Sequence, residues 1–266
     1  MRAIALVPVG VAAPALSGLW ALCAWEARRA RNGERPYTDA LPGTACIGAA
    51  LEGRAVRITW LGDSLAAGLG CDEVTDTPAH LSARLLERAV DVTMLAMPGA
   101  RVGHVLADQL PLVAADTDLV IISVGANDVA ASGSRAAYAA QLDDLLTRLA
   151  PTPVVLLTLP DMGMPDRLAQ PLRSLAGARA RWFEVARAEV AARHGHVTSV
   201  DVASRPVGIS RRAGRLLLCA DRFHPGPEGY RLWAERIATA CGPLLESLPV
   251  RSHPETGVGG LVSVCA

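Results

Sequence analysis

The chain has 266 residues, the size of one large domain or two small ones, and its 51% hydrophobic share with only 20% charged residues excludes a disordered chain. Its 26 basic and 26 acidic residues cancel, so no global field steers it onto nucleic acid. Every basic residue is arginine, which excludes Schiff-base lysine chemistry and a Walker-type phosphate loop, both of which need an ammonium group. Aromatic residues are only 4% of the chain. A mean hydropathy of +0.28 is high for a soluble domain and directs attention to the N-terminus.

No charged residue occurs from Ala3 to Trp25, and a helix spans a hydrocarbon core with about 20 residues. The run holds Pro8, Gly10, Pro14 and Gly18, which membrane helices tolerate. Trp20 and Trp25 fall near its end, where interfacial aromatics sit. Residues 1–26 are therefore expected to form a membrane anchor. A cleaved signal is less favoured, because the run is long and Ala24-Trp25-Glu26-Ala27 is a poor cleavage site; a buried soluble helix is the remaining alternative. Arg28, Arg29, Arg31 and Arg35 outnumber Arg2 across the run, so the charge count puts the following domain on the cytoplasmic side, with export by a signal sequence left open.

Residues 27–54 carry Arg, Pro and Gly without apolar period and read as a linker. Five apolar runs follow, at Val56–Leu61, Val92–Ala96, Leu119–Val124, Val154–Leu159 and Val197–Val202. Near-continuous Val, Ile and Leu mark strands buried on both faces. Helical patterns lie between and after them, at about Pro78–Ala89, Val102–Leu110, Arg135–Leu149, Leu172–Arg193 and Pro227–Cys241, the last stopped by Gly242-Pro243. Strands alternating with helices predict right-handed crossovers and a parallel sheet in a three-layer α/β/α sandwich, one domain over 55–248. The stretch 249–266 is expected to be a flexible tail.

The six cysteines, Cys23, Cys46, Cys71, Cys219, Cys241 and Cys265, contain no C-x-x-C pair. His194 and His196 alone are a poor ligand set, so no metal and no cofactor is expected. The cysteines are read mostly as small buried hydrophobes.

In a parallel sheet of this kind ligands bind outside the carboxyl ends of the strands, and the informative residues follow the strands. Gly62-Asp63-Ser64-Leu65 follows the first, Pro98-Gly99 the second and Gly125-Ala126-Asn127-Asp128 the third; Asp221-Arg222-Phe223-His224-Pro225 precedes the last helix. A serine hydroxyl is a poor nucleophile until a base takes its proton. An imidazole changes charge near neutral pH, so His224 can be that base. Asp221, three residues upstream, can hold its other ring nitrogen. The backbone N–H groups of Ser64 and Gly99, with the Asn127 side-chain amide, would supply oxyanion donors, each typically worth roughly 3 kcal/mol in the transition state. Taken singly, each piece reads as an ordinary turn or cap; together, and in this order, they read as a catalytic set.

These blocks resemble the SGNH/GDSL hydrolase family. Gly62-Asp63-Ser64-Leu65 matches its first block, Gly125-Ala126-Asn127-Asp128 its third, and Asp221 with His224 its fifth. The second block departs from the pattern, since Pro98 stands before Gly99 where a small residue is usual; Gly103 is the alternative glycine. The resemblance covers about 54–245. It implies a flavodoxin-like, five-stranded sheet of order 2-1-3-4-5 and metal-free ester or thioester hydrolysis. It also implies Ser64 as nucleophile, His224 and Asp221 as its partners, and Ser64, Gly99 and Asn127 as the oxyanion hole. The G-x-S-x-G elbow of α/β-hydrolases is absent.

Met162 and Met164, in the loop after the fourth strand, are candidate acyl-pocket residues or ordinary loop packing. Arg167, Arg173, Arg179 and Arg181 form a solvated helix face or an anion-attracting one. Arg211, Arg212 and Arg215 are candidates for contact with anionic lipid. The expected partner is a small-molecule or lipid ester, with no nucleic acid and no metal. Carbohydrate O-deacetylation, acyl transfer, thioesterase and lysophospholipase activity use the same site, and a catalytically silent binding module is the non-enzyme alternative.

Overall fold

The structure, a computed structural model, describes residues 43–48, 54–131, 133–204 and 217–246, with Leu22 and Gly214. Apart from Leu22, the expected anchor of residues 1–26 lies outside the described residues, as do Arg211, Arg212, Arg215 and the tail at 249–266. No helix among the described residues is long and apolar enough to cross a membrane.

Six strands form one sheet: β1 Gly43–Ile47, β2 Val56–Gly62, β3 Val90–Met94, β4 Leu119–Ser123, β5 Val154–Leu157 and β6 Val197–Val200. Their order is β1-β3-β2-β4-β5-β6. Strands β3, β2, β4, β5 and β6 are mutually parallel, which is the five-stranded order expected from sequence. Strand β1 is an addition. It comes from the stretch read as linker and pairs antiparallel with β3, from Gly43↔Met94 to Ile47↔Val90. Its five residues, GTACI, lack the apolar run or alternation that marks a strand in isolation; pairing with a sheet edge makes the difference.

Side chains alternate across the sheet with a period of two, so each central strand feeds two cores. Ile58, Trp60, Leu119, Ile121, Val155 and Leu157 pack with Tyr230, Trp233 and Ile237 on one face. Leu61, Val120, Ile122, Val154 and Leu156 pack with Leu142, Leu145, Phe183 and Val190 on the other. The first face is covered by helices α1 (Pro78–Arg84) and α5 (Pro227–Glu246), the second by α3 (Arg135–Leu149) and α4 (Leu172–Ala191), with the short α2 (Ala126–Ala130) at the end of β4.

Three helix boundaries differ from the pattern reading. Helix α1 ends at Arg84 rather than near Ala89, and Glu87 at φ 52 turns the chain toward β3. Helix α5 runs through Gly242-Pro243 to Glu246, because Cys241 and Leu245 stay buried in the core and hold the last turn. The expected helix at Val102–Leu110 is a single turn, Val102–His104, then a wide turn, Val105–Gln109, then a tight one, Leu110–Leu112. Pro111 removes a helical donor. Gln109 turns inward: its side chain accepts from the Gly62 N–H at 2.8 Å and donates to the Gly62 carbonyl at 2.8 Å.

That clamp satisfies both backbone groups at the end of β2, next to Ser64. The Gly62 carbonyl also accepts from the Met97 N–H at 3.0 Å, so loss of the buried Gln109 amide chiefly strands the Gly62 N–H, and a buried unsatisfied polar group costs about 1–3 kcal/mol. Gln109→Leu is expected to lower unfolding free energy by about 1–3 kcal/mol, read as a lower urea midpoint at unchanged m-value.

Candidate active site

Strand β2 lies between β3 and β4, with the first crossover on one side and the next on the other. Loops leaving these strands diverge there and open a crevice. Gly62 ends β2 at φ +139, and a Cβ at this position would lie 1.9 Å from the Ser123 carbonyl oxygen on β4, so only glycine fits. The chain then turns: Asp63 N–H donates to Ser123 O at 3.0 Å, and Leu65 N–H to the Asp63 carboxylate at 3.0 Å. Ser64 is lifted to the rim, half-buried, between buried neighbours.

From the opposite side comes the loop before α5. A bridge between Leu218 and Pro225 and a hydrogen bond from Gly226 N–H to Leu217 O (2.8 Å) close it at its base. Within it the Asp221 carboxylate, 9% exposed, is the hub. One oxygen accepts from the backbone N–H of Phe223 (2.7 Å), the backbone N–H of His224 (2.9 Å) and the Cys219 thiol (3.0 Å). The other meets His224 Nδ1 at 2.5 Å. Burial pushes the Asp221 carboxyl up, but the hydrogen bonds from His224 and Cys219 outweigh it and hold the group well below the usual carboxylate range. Asp221 is therefore a charged acceptor, Nδ1 keeps its proton, and Nε2 is left as the acceptor. Ser64 Oγ lies 3.0 Å from Nε2, although 160 residues separate the two in the chain.

The remaining predicted residues reach the same crevice. Gly99 has φ +82, and a Cβ there would meet nothing within 4 Å, so its face is open. No acceptor among the described residues takes the N–H of Gly99 or of Ser64. Asn127 sits in the first turn of α2, where Gly125 at φ 123 swings the chain off β4. Its Nδ2 donates to Ala100 O at 3.0 Å and makes a longer contact to the Asp63 carboxylate at 3.5 Å. The amide is thus tied to the loop that carries Gly99. Gly103, the alternative glycine, lies inside a helical turn, and its Cβ position is 3.3 Å from the Gln141 amide.

An apolar cavity of about 80 Å³ lies beside these residues, lined in part by Leu65, Ala126, Met162, Met164, Phe223 and Trp233. Both methionines named from sequence line it. Of the arginines considered as an anion-attracting face, Arg179 donates to the carbonyls of Val129, Ala131 and Gly133 at 2.7–3.1 Å and so braces the loop after α2. Among the described residues no group of three His, Cys, Asp or Glu side chains is placed to hold a metal.

Sequence reasoning passed over two contributors. Gln109 follows Asp108 in a stretch read as helix, and Cys219 reads as a small buried hydrophobe; nothing local marks either as reaching Gly62 or Asp221.

Asp63 is buried beneath Ser64. Burial pushes its carboxyl from 3.8 up to about 7, against the Leu65 N–H bond, with the Asp128 charge adding to the rise. The folded chain therefore prefers the protonated form. That preference stabilises fully below about pH 4 and is lost as pH rises through about 7. Asp63→Asn, which cannot ionise, is expected to gain in Tm relative to the unsubstituted chain as pH goes from 4 to 7. A Tm difference that stays constant across that interval would refute the assignment.

Comparison with known proteins bears on the family. Residues 60–232 match the model of the GDSL-like Lipase/Acylhydrolase family. A GDSL-like esterase of Mycobacterium tuberculosis is 31% identical over 212 residues, covering 74% of this chain and 66% of that protein. The chain thus spans just under two thirds of that relative's length. An extracellular lipase from Streptomyces rimosus superposes with a TM-score of 0.52 at 25% identity, covering 73% of this chain and 99% of the lipase. A lipase/acylhydrolase from Enterococcus faecalis superposes with a TM-score of 0.54 at 23% identity, covering 74% and 100%; at that identity the likeness speaks for the fold alone. The sheet order, the four loops meeting at β2 and the family match lead to one conclusion: this chain is a member of the GDSL-like lipase/acylhydrolase family, enzymes that act on esters.

Proposed function

We propose that the chain is a serine hydrolase that cleaves carboxylic esters of short acyl chains, with Ser64 as nucleophile. The observation that carries this reading is the unbroken relay from Ser64 Oγ through His224 to the ionised Asp221. His224 Nε2 takes the hydroxyl proton as Ser64 Oγ attacks the acyl carbonyl, and Asp221 stabilises the imidazolium that forms. The carbonyl oxygen becomes an oxyanion. The N–H groups of Ser64 and Gly99, which have no acceptor among the described residues, would serve as its donors, and Asn127 would add the Nδ2 proton that Asp63 holds only at 3.5 Å. The C–O bond to the alcohol then breaks, and His224 returns the proton to the leaving oxygen. Water, deprotonated by His224, attacks the acyl-enzyme and releases the acid.

The cavity beside Ser64 supports the short-chain reading. Its volume of about 80 Å³ is roughly half that of a 150 Å³ apolar cavity that admits benzene. Its methionines adapt to varied apolar shapes. The membrane anchor and cytoplasmic side remain part of this proposal on the uncharged run Ala3–Trp25 and its flanking arginines alone.

Ser64→Ala is expected to lower p-nitrophenyl ester hydrolysis by at least about 10³-fold and to abolish labelling by a fluorophosphonate; retained turnover would overturn the nucleophile assignment. Across p-nitrophenyl esters of increasing acyl length, kcat/KM should peak at about two to four carbons, in keeping with the cavity. A maximum at long chains would put the acyl group elsewhere.

A further inference from the structure

We propose that Cys219 is a positioning residue of this site: its thiol proton, donated to Asp221, sets the alignment and the basicity of His224. The inference rests on the proposed use of the Ser64–His224–Asp221 relay.

The argument begins with the acceptor. Asp221 Oδ1 has three donors, and two are backbone N–H groups of the turn itself. The third, Cys219 Sγ at 3.0 Å, is the side-chain donor. A thiol is a weak donor in general, but here the acceptor is a buried carboxylate, and bonds to ionised groups are the stronger class. Cys219 is also anchored along its backbone. Its N–H donates to the His224 carbonyl at 2.9 Å, and its own carbonyl accepts from the Arg222 N–H at 2.9 Å. The residue thus grips the loop at both ends of the stretch that carries Asp221 and His224.

Gly70 confines the thiol from the other side. A Cβ at Gly70 would lie 3.2 Å from Cys219 Sγ and 2.2 Å from Pro225 O. The loop that leaves Ser64 therefore passes directly over the loop that carries the base, with sulfur between Gly70 and Asp221. Small displacements of either loop are felt at this contact.

The other charged and titratable groups around the relay have their own partners. Arg167 reaches the Asp221 carbonyl at 3.4 Å, and Arg222 pairs with Asp166 on the outer face at 2.8 Å. From α5, Tyr230 donates its hydroxyl to Leu69 O at 2.8 Å. Cys71 donates to Asp76 O at 3.1 Å, and Asp63 accepts from Leu65. None of these donates to the Asp221 carboxylate, so among the described residues removing the Cys219 proton leaves that oxygen with backbone donors only. The carboxylate then keeps more of its charge and holds the imidazolium more tightly. The midpoint of His224 rises, and the neutral ring needed to accept the Ser64 proton is lost at higher pH.

The test uses the full chain and four variants. Cys219→Ala is expected to lower kcat by about five- to twentyfold with KM little changed, since the thiol touches no substrate. It is also expected to move the acidic limb of the kcat/KM profile up by about half a pH unit. Cys219→Ser, which keeps a proton donor, should restore both. Cys219→Val, apolar and without a donor, serves in place of Ala should that variant not fold. The midpoint of His224 is read separately from the ¹⁵N shifts of its imidazole in the resting protein, assigned by their loss in His224→Gln. This readout needs no turnover: a chain that hydrolyses no ester defeats the proposed function, while the imidazole midpoint still decides the role of Cys219. An unchanged midpoint in the donorless variant, or a Ser variant no better than Ala, would overturn the proposal.

Discussion

A carboxylate almost wholly removed from water must find partners for its charge, and the loop before α5 is built around that demand. Asp221 gathers two backbone N–H groups, a thiol and an imidazole within 3.0 Å. Satisfying the carboxylate folds Cys219–His224 into one tight turn, and the turn in turn fixes which ring nitrogen of His224 carries the proton. The nitrogen left as acceptor faces Ser64. Stability of the loop and the orientation of the His224 ring therefore come from the same set of hydrogen bonds.

The Ser64 side obeys a different constraint, which is steric. Strand β2 ends against β4 with no room for a side chain at Gly62; its last N–H is held by Gln109, and its last carbonyl by Gln109 together with the Met97 N–H beyond β3. The turn that follows is forced sharply off the sheet, with Asp63 beneath and Ser64 above. Asp63 holds Leu65 and touches Asn127, and Asn127 holds the Ala100 carbonyl in the Gly99 loop. The ends of β2, β3 and β4 are thus cross-linked by side-chain amides and one carboxyl. Each supporting group lies one step removed from Ser64, so the rim residue is left free to react.

Much of this was legible in the chain itself. Runs of Val, Ile and Leu marked the five parallel strands because a strand buried on both faces cannot hide polar residues, while their order came from the family resemblance. The serine, glycine, asparagine and histidine blocks stood out because glycine at a strand end and carboxylate three before histidine are local patterns with local causes. Less legible were β1, whose five residues become a strand only against the edge of β3, and the broken turns from Val102 to Leu112, where Gln109 abandons helical geometry for Gly62. Helix α5 overran a Gly-Pro stop because burial of Cys241 and Leu245 outweighed the missing hydrogen bond.

By itself, then, the sequence determined the alternation of strands and helices, the residue types at each strand's carboxyl end and the absence of any lysine-dependent chemistry. These depend on neighbours within a few positions. Tertiary structure alone decided that Ser64 and His224, 160 residues apart, stand 3.0 Å from each other, that Met162 and Met164 border the cavity beside them, and that Cys219 and Gln109 support the site. Those contacts arise where separate crossovers bring distant loops to one switch point in the sheet, and no local pattern encodes which polar side chain will meet which backbone group there.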